Sequence, residues 1–190
     1  MTRTALDEKL FWLINGHASA PMDYVMAVLT FSASTIPAVL IALLVMFLYK
    51  GLRAKQIFML VFALAFSAVV IHSMKSFYGA DRPLAYFAKK FPSQEGMVHA
   101  PFERHRASSF PSGHTQTAFS VAVFMVFIFR RHAVAWFSWA LLVAVSRVYL
   151  GVHFPFDVLV GGLTGAIVTF VTVKIATLPS KDEIRADNSV

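Results

Sequence analysis

The sequence predicts an all-α, polytopic membrane helical bundle: about five transmembrane helices preceded by an amino-terminal interfacial helix. Three observations carry this expectation. Of 190 residues, 57% are hydrophobic and only 14% charged, whereas an ordinary soluble domain is roughly a quarter charged. The mean hydropathy is +0.65. The apolar residues also gather into runs close to the roughly 20 residues that a helix needs to cross the hydrocarbon layer, separated by short polar connections and one long polar insertion.

The same composition excludes several classes. With 19 Phe and 3 Trp, most of the chain carries far more apolar surface than disordered segments do. The absence of cysteine removes disulfides, zinc thiolates, iron–sulfur clusters and cysteine nucleophiles. A formal charge of +7 could attract nucleic acid. In a chain this apolar, anionic phospholipid headgroups and membrane topology account for it better. No nucleic-acid partner is therefore expected, and no motif identifies a protein partner. There is no phosphate-binding glycine loop and no dinucleotide fingerprint.

Taken in order, the region around 4–13 mixes Asp7, Glu8 and Lys9 with Leu6, Leu10, Phe11, Trp12 and Leu13. Its apolar run is too short and its charge order wrong for a secretory signal. It reads as an amphipathic helix lying at the membrane surface, or as ordinary terminal packing, with a break at 15–21. Residues 22–49 contain no Lys or Arg and form span one, with Pro37 accommodated inside it. After the basic turn containing Lys50, Arg53 and Lys55, residues 57–74 form span two. Residues 77–112 carry four prolines and two glycines and read as a long irregular loop outside the lipid. Spans three (114–129), four (133–150) and five (156–178) follow, the last with Gly161, Gly162 and Gly165 for close helix contact. Residues 1–178 thus form a single membrane domain, and the polar residues 179–190 read as a flexible cytoplasmic tail. Counting Lys and Arg in short loops places the turns at 50–55 and 130–132 in the cytoplasm and the amino terminus outside.

This topology brings several polar positions to the outer face. Lys75 ends span two, and Arg82-Pro83 follows seven residues later. A lysine point charge beside an arginine fork suits phosphate oxygens; a juxtamembrane basic cluster on anionic lipid is the alternative. Ser109-Phe110-Pro111-Ser112-Gly113-His114 stands just before span three. Ser112 can cap that helix, free first-turn amides and Gly113 can receive an anion, and His114 can give a proton to a departing alkoxide. The same segment alone could be a cap beside a structural histidine. Ser146 and Arg147 end span four, and an Arg there requires pairing or solvation. Asp157, four residues beyond His153, can hold the Nδ1 proton and leave Nε2 as a nucleophile; a buried pair joining two helices is the bland alternative. Pro155 suits the first position of the last helix. His17, His72, His99, His105 and His132 carry less of this pattern. The constellation is cationic, so an anion is the expected guest, with no metal and no cofactor.

Lys75-x6-Arg82-Pro83, Pro111-Ser112-Gly113-His114 and Ser146-Arg147-x5-His153-x3-Asp157 together resemble the signatures of the type 2 phosphatidic acid phosphatase family, whose wider superfamily includes the vanadium haloperoxidases. The resemblance covers roughly residues 11–177, and larger members carry a further amino-terminal span. It implies that Lys75, Arg82, Ser112, Gly113 and Arg147 bind phosphoryl oxygens, that His114 is the general acid, and that His153, oriented by Asp157, attacks phosphorus to give a phosphohistidine. It further implies a metal-independent hydrolase of lipid phosphates or pyrophosphates in the bacterial inner membrane, with its site facing the periplasm or cell exterior. Undecaprenyl pyrophosphate or a broad range of glycerophospholipid phosphates is the favoured substrate class, with lipid A 1-phosphate second. Basic residues of the loop (Lys89, Lys90, Arg104, Arg106) are the expected headgroup selectors. A non-catalytic lipid-phosphate binding or transport protein and a haloperoxidase are the competing functions.

Overall fold

The computed structural model describes residues 3–103 and 106–178; Arg104, His105 and the expected tail at 179–190 lie outside the described residues. Among those described the architecture is helical throughout: α1 (Ala5–Asn15), α2 (Ala20–Ser32), α3 (Thr35–Lys50), α4 (Ala54–Tyr78), α5 (Pro83–Lys90), α6 (Gly113–Phe129), α7 (Ala133–Tyr149) and α8 (Pro155–Ala176), with a short 3-10 segment at Pro92–Met97. Helix α6 is the hub, packing against α8, α7, α4 and α3.

The intimacy of α6 and α8 follows from glycine. A Cβ at Gly161 would collide with the Ser112 carbonyl oxygen, and one at Gly165 with that of Gln116. Only hydrogen lets these backbones meet so closely. On the other side of α6, Val121, Phe124 and Met125 join Ala38, Ala42, Met46, Met59, Leu60 and Leu64 in one buried cluster. The outward faces are apolar as well. Phe58, Phe62 and Phe66 stack along α4 while each is at least half exposed, the pattern of a helix whose outer solvent is lipid.

Helices α4 and α8 are long and apolar enough to cross a membrane. The expected spans three and four are α6 and α7, each of 17 residues, or about 26 Å of helix against a hydrocarbon thickness near 30 Å. Span one needs correction. It is not a single helix but the pair α2–α3, bent by 72°. The cause is Pro37: in a continuous helix its ring would strike the carbonyl four residues back, at Ala33. The chain instead breaks at Ala33-Ser34, Ser34 becomes the extended residue preceding α3, and Pro37 falls in the first turn, where no amide proton is missed.

A second correction concerns the insertion at 77–112, which among its described residues is not wholly irregular. Arg82-Pro83 starts α5, and Pro92 starts the 3-10 segment. Helix α1 forms as expected, with Phe11 fully buried against Phe87 and Phe154 and with Leu6 and Leu13 exposed. At its end Asn15 donates to the carbonyls of His99 and Tyr149, both at 2.8 Å, and accepts from His99 N at 3.0 Å. One side chain thereby ties the insertion to the top of α7.

Candidate active site

Four helix ends and one loop deliver the polar groups to the same end of the bundle. Lys75 lies in the last turn of α4, which closes on Gly79 in the left-handed conformation. Its Nζ donates to the Ser108 carbonyl at 2.7 Å. Arg82 donates from Nε to the Ala107 carbonyl at 3.1 Å and from its backbone N to that of Arg106 at 3.0 Å. The two cations thus grip neighbouring residues of the segment leading into α6.

Arg147, in the last turn of α7, is 1% exposed. An arginine this deep requires partners, and it has them. Nη1 donates to Thr30 Oγ1 at 2.9 Å, while Nη1 and Nη2 hold both carboxylate oxygens of Glu103 at 3.0 and 3.2 Å. Glu103 also lies 3.8 Å from Arg82 Nη1. Burial opposes ionisation of this carboxyl, but the Arg147 fork outweighs it and holds Glu103 below the usual carboxylate range. A resident carboxylate therefore bridges two of the arginines expected to hold phosphate.

The segment after α7 positions the nucleophile candidate. His153 N donates to the Arg147 carbonyl at 3.3 Å, which fixes the imidazole beside the guanidinium. The expected His153–Asp157 pairing is present as a close contact, with Nδ1 3.6 Å from Oδ2, just beyond hydrogen-bond reach. Burial pushes the imidazole down to about 3, with Arg147 adding to the effect against the pull of Asp157. At neutral pH His153 is an uncharged base, as a nitrogen nucleophile must be.

Asp157 is shared more widely than its spacing suggested. It accepts from Arg3 Nη1 at 2.6 Å and Arg3 Nη2 at 3.3 Å, from Ser109 Oγ at 2.6 Å, and from Phe154 N at 2.9 Å. Pro155 starts α8 directly ahead of it.

Ser112 precedes α6, fully buried, and its hydroxyl accepts from Thr115 N at 3.5 Å. The helix-capping half of its expected role is thus visible. Its backbone N donates to the Asp157 carbonyl at 3.0 Å, which locks the start of α6 onto α8. Gly113, by contrast, borders open space: a Cβ there would meet nothing within 4 Å. His114 faces the same region, with Nε2 3.2 Å from Ser34 Oγ, the residue exposed by the α2–α3 break. A cleft of about 360 Å³ joins Ser34, Lys75, Gly113 and His114 at its polar end to Ala33, Ala68 and Ile71.

All eight expected site residues therefore converge at one end of the helices. The charges of Lys75, Arg82, Arg147 and Glu103 all act on His114. Arg82 Nη1, Arg147 Nε and His153 Nδ1 are buried nitrogens without a hydrogen-bond partner, and such groups are costly unless a ligand completes them. Among the described residues no group of three or more His, Asp or Glu is arranged to hold a metal ion. The facing donors are those of an anion site.

Sequence reasoning missed Arg3, Thr30, Ser34, Glu103 and Ser109. Only Ser109 stood inside a singled-out segment; the others lie far from the motifs and resemble ordinary cap or surface residues. Of the expected headgroup selectors, Lys89 pairs with Asp81 at 2.8 Å and Lys90 with Glu8 at 2.6 Å. Lys89 is thus paired with the residue two positions ahead of α5, and Lys90 ties α5 to α1. His99 pairs with Asp23 at 2.7 Å, away from the reaction centre.

A lipid A 1-phosphatase of Rhizobium johnstonii is 32% identical over 114 residues, 60% of this chain but only 45% of the relative, so this chain spans about half of that protein. Undecaprenyl-diphosphatase BcrC of Bacillus subtilis is 25% identical over 91% of this chain and 86% of its own length. The crystal structure of Aquifex aeolicus LpxE superposes with a TM-score of 0.76 at 28% identity, covering 90% of this chain and 96% of that one. The model of the PAP2 superfamily matches residues 56–179, more than half the sequence and all three motifs, and the chain belongs to that superfamily.

Proposed function

We propose that the protein is an integral membrane lipid phosphatase that hydrolyses a terminal phosphate or pyrophosphate through a phosphohistidine. The observation that carries this reading is the anion cradle itself. The Glu103 carboxylate already bridges Arg82 and Arg147, and the charges of these two arginines also act on Lys75, His114 and His153. Phosphoryl oxygens in place of that carboxylate would meet the unpartnered Arg82 Nη1 and Arg147 Nε, together with Lys75 and the open amides at Gly113.

The steps follow from the geometry. The Nε2 lone pair of His153 forms a bond to phosphorus as the bond to the leaving oxygen breaks. The departing electron pair takes a proton from protonated His114. The imidazole, now cationic, keeps its Nδ1 proton facing Asp157, and the 3.6 Å contact tightens as charge develops. Water then attacks phosphorus and yields its proton to His114, and the P–N bond returns its pair to His153 with release of inorganic phosphate. The cationic groups stabilise the equatorial oxygens throughout.

The cleft from His114 and Lys75 toward Ala33, Ala68 and Ile71 supports a lipid leaving group, because an isoprenoid or acyl chain can lie among the helices while only the phosphate reaches the cradle. Undecaprenyl pyrophosphate and glycerophospholipid phosphates fit this reading. The likeness to the Rhizobium lipid A 1-phosphatase favours lipid A 1-phosphate as a second assignment. The site would face the periplasm. The test is phosphate release from purified lipids of these three classes in detergent. The parent should turn over at least one of them, and His153→Ala should lose at least about a thousandfold in kcat. Arg147→Ala should lose about a hundredfold or more, while Arg131→Ala, in the exposed turn at the opposite helix ends, should stay within about twofold. Full activity in His153→Ala removes the phosphohistidine. Lipid binding without turnover by the parent would establish a carrier instead.

A further inference from the structure

The amino-terminal segment reaches the reaction centre through one residue. Arg3 is nearly inaccessible, its side chain 2% exposed, and its guanidinium lies 4.2 Å over the Phe154 ring. It takes both oxygens of Asp157, the carboxylate beside His153, and its Nη2 also reaches the Asp81 carbonyl at 3.4 Å. Helix α1 holds it there. Thr4 caps that helix by accepting from Asp7 N at 3.2 Å, Asp7 lies 3.5 Å from Arg3 Nη1, and Asp7 Oδ1 accepts from Phe156 N at 2.8 Å. The first turns of α1 and α8 are therefore knit together around two buried carboxylates, Asp7 and Asp157.

The donor arithmetic at Asp157 gives this arrangement a consequence. An ionised carboxylate has about four acceptor sites. Arg3 provides two hydrogen bonds, Ser109 one and Phe154 N one, and three of these donors meet at Oδ2, the atom facing His153. The carboxylate is thereby saturated and immobile, and His153 Nδ1 stands at 3.6 Å rather than in a resting hydrogen bond. Without the Arg3 fork, Oδ1 loses the charged partner that holds it among the described residues, and the carboxylate is held through Oδ2 alone by Ser109 Oγ and Phe154 N.

We propose that Arg3 is a positioning residue of the catalytic centre, fixing the Asp157 carboxylate from behind so that it orients the His153 nucleophile and meets its charge only as the phosphoenzyme forms. This rests on the phosphohistidine reading above. The experiment measures kcat and KM for dioctanoyl phosphatidic acid and for undecaprenyl pyrophosphate in parent, Arg3→Gln, Arg3→Lys, Asp157→Asn, Arg3→Gln/Asp157→Asn and His153→Ala proteins, with unfolding temperatures for each. Arg3→Gln should lower kcat about 10- to 100-fold, the usual cost of removing a group that orients a histidine, with KM within about twofold. Arg3→Lys should recover part of that loss. The decisive comparison is the cycle: in the Asp157→Asn background, Arg3→Gln should cost less than about twofold more, because a residue acting through Asp157 has nothing left to act on.

Equal fold-losses in both backgrounds overturn the proposal and leave Arg3 a packing residue, as does a parental kcat in Arg3→Gln. If Arg3→Gln does not accumulate as folded protein, Arg3→Lys decides. A lower kcat with unchanged KM and a parental unfolding temperature supports the fork, and parental kinetics reject it. An active His153→Ala protein would instead reject the phosphohistidine reading itself, so the two failures are distinguishable.

Discussion

Glu103 shows how one residue can hold a site ready and obstruct it. Its carboxylate occupies both nitrogens at the end of the Arg147 fork and lies within 3.8 Å of Arg82, so an arriving phosphoryl group must displace it. Because Glu103 is held below the usual carboxylate range, it stays ionised throughout the neutral range. Its competing charge would be lost only as the pH fell through that lowered value. Glu103→Gln keeps the shape and removes the charge. Orthovanadate, which resembles the transferring phosphoryl group, should then inhibit at least about tenfold more tightly at neutral pH, the low end of the coupling measured for close charge pairs. Weaker inhibition would mean that Glu103 organises the arginines rather than competing for them. Residues of this kind were not legible in the sequence. Lys75, His114, Arg147, His153 and Asp157 stand at or beside the ends of apolar runs, where charge is expensive and therefore informative, and Arg82 is marked by its fixed spacing from Lys75 and by Pro83. Glu103 stands among polar loop residues, and Arg3 sits 154 positions from its partner, with no local cost to mark either.

At the scale of elements, the α6–α8 contact couples packing to chemistry. Gly161 and Gly165 sit on successive turns of the same face, yet they touch different parts of α6: Gly161 meets the carbonyl of Ser112, at the anion-facing end, and Gly165 that of Gln116, one turn deeper. Alanine at either position forces the backbones apart, which overpacking data place at about 1–3 kcal/mol. Both variants should therefore lower the unfolding temperature in detergent. Gly161→Ala should in addition lower kcat, because it displaces Ser112 and the amides that follow, while Gly165→Ala should hold kcat within about threefold. Similar kcat losses in both would show that the helix interface moves as a rigid unit. The role of these glycines could be read from sequence, since three lie within eleven residues of an apolar helix. The α2–α3 bend was also signalled, by Pro37, but a proline inside a long apolar run fits either a tolerated kink or a break. The structure shows the break, and the buried cluster that Ala33 joins with Ala118, Ala122 and Val143 of α6 and α7 is a long-range arrangement that no local pattern announces.

For the whole molecule, the reading depends on every site residue lying on one side of the membrane and the basic turns on the other. The helices themselves separate the two ends. Lys75 closes α4, Ser112 opens α6, Arg147 closes α7 and Phe154 opens α8, whereas Lys55 lies at the start of α4 and the 130–132 turn links the end of α6 to the start of α7. Alternation along an antiparallel bundle therefore puts the cradle and the 130–132 turn a full helix length apart, and the Lys and Arg bias of the short turns is the ground for the proposal that the latter faces the cytoplasm. The absence of cysteine makes this directly measurable. In intact spheroplasts, Phe102→Cys, an exposed position beside Glu103, should react with a membrane-impermeant maleimide. Val134→Cys, 82% exposed at the start of α7, should react only after permeabilisation. The opposite pattern would put the cradle in the cytoplasm, where lipids of the outer leaflet could not reach it. Labelling of both from outside would mean that α6 does not cross, and the 17-residue helices would then have to be re-entrant.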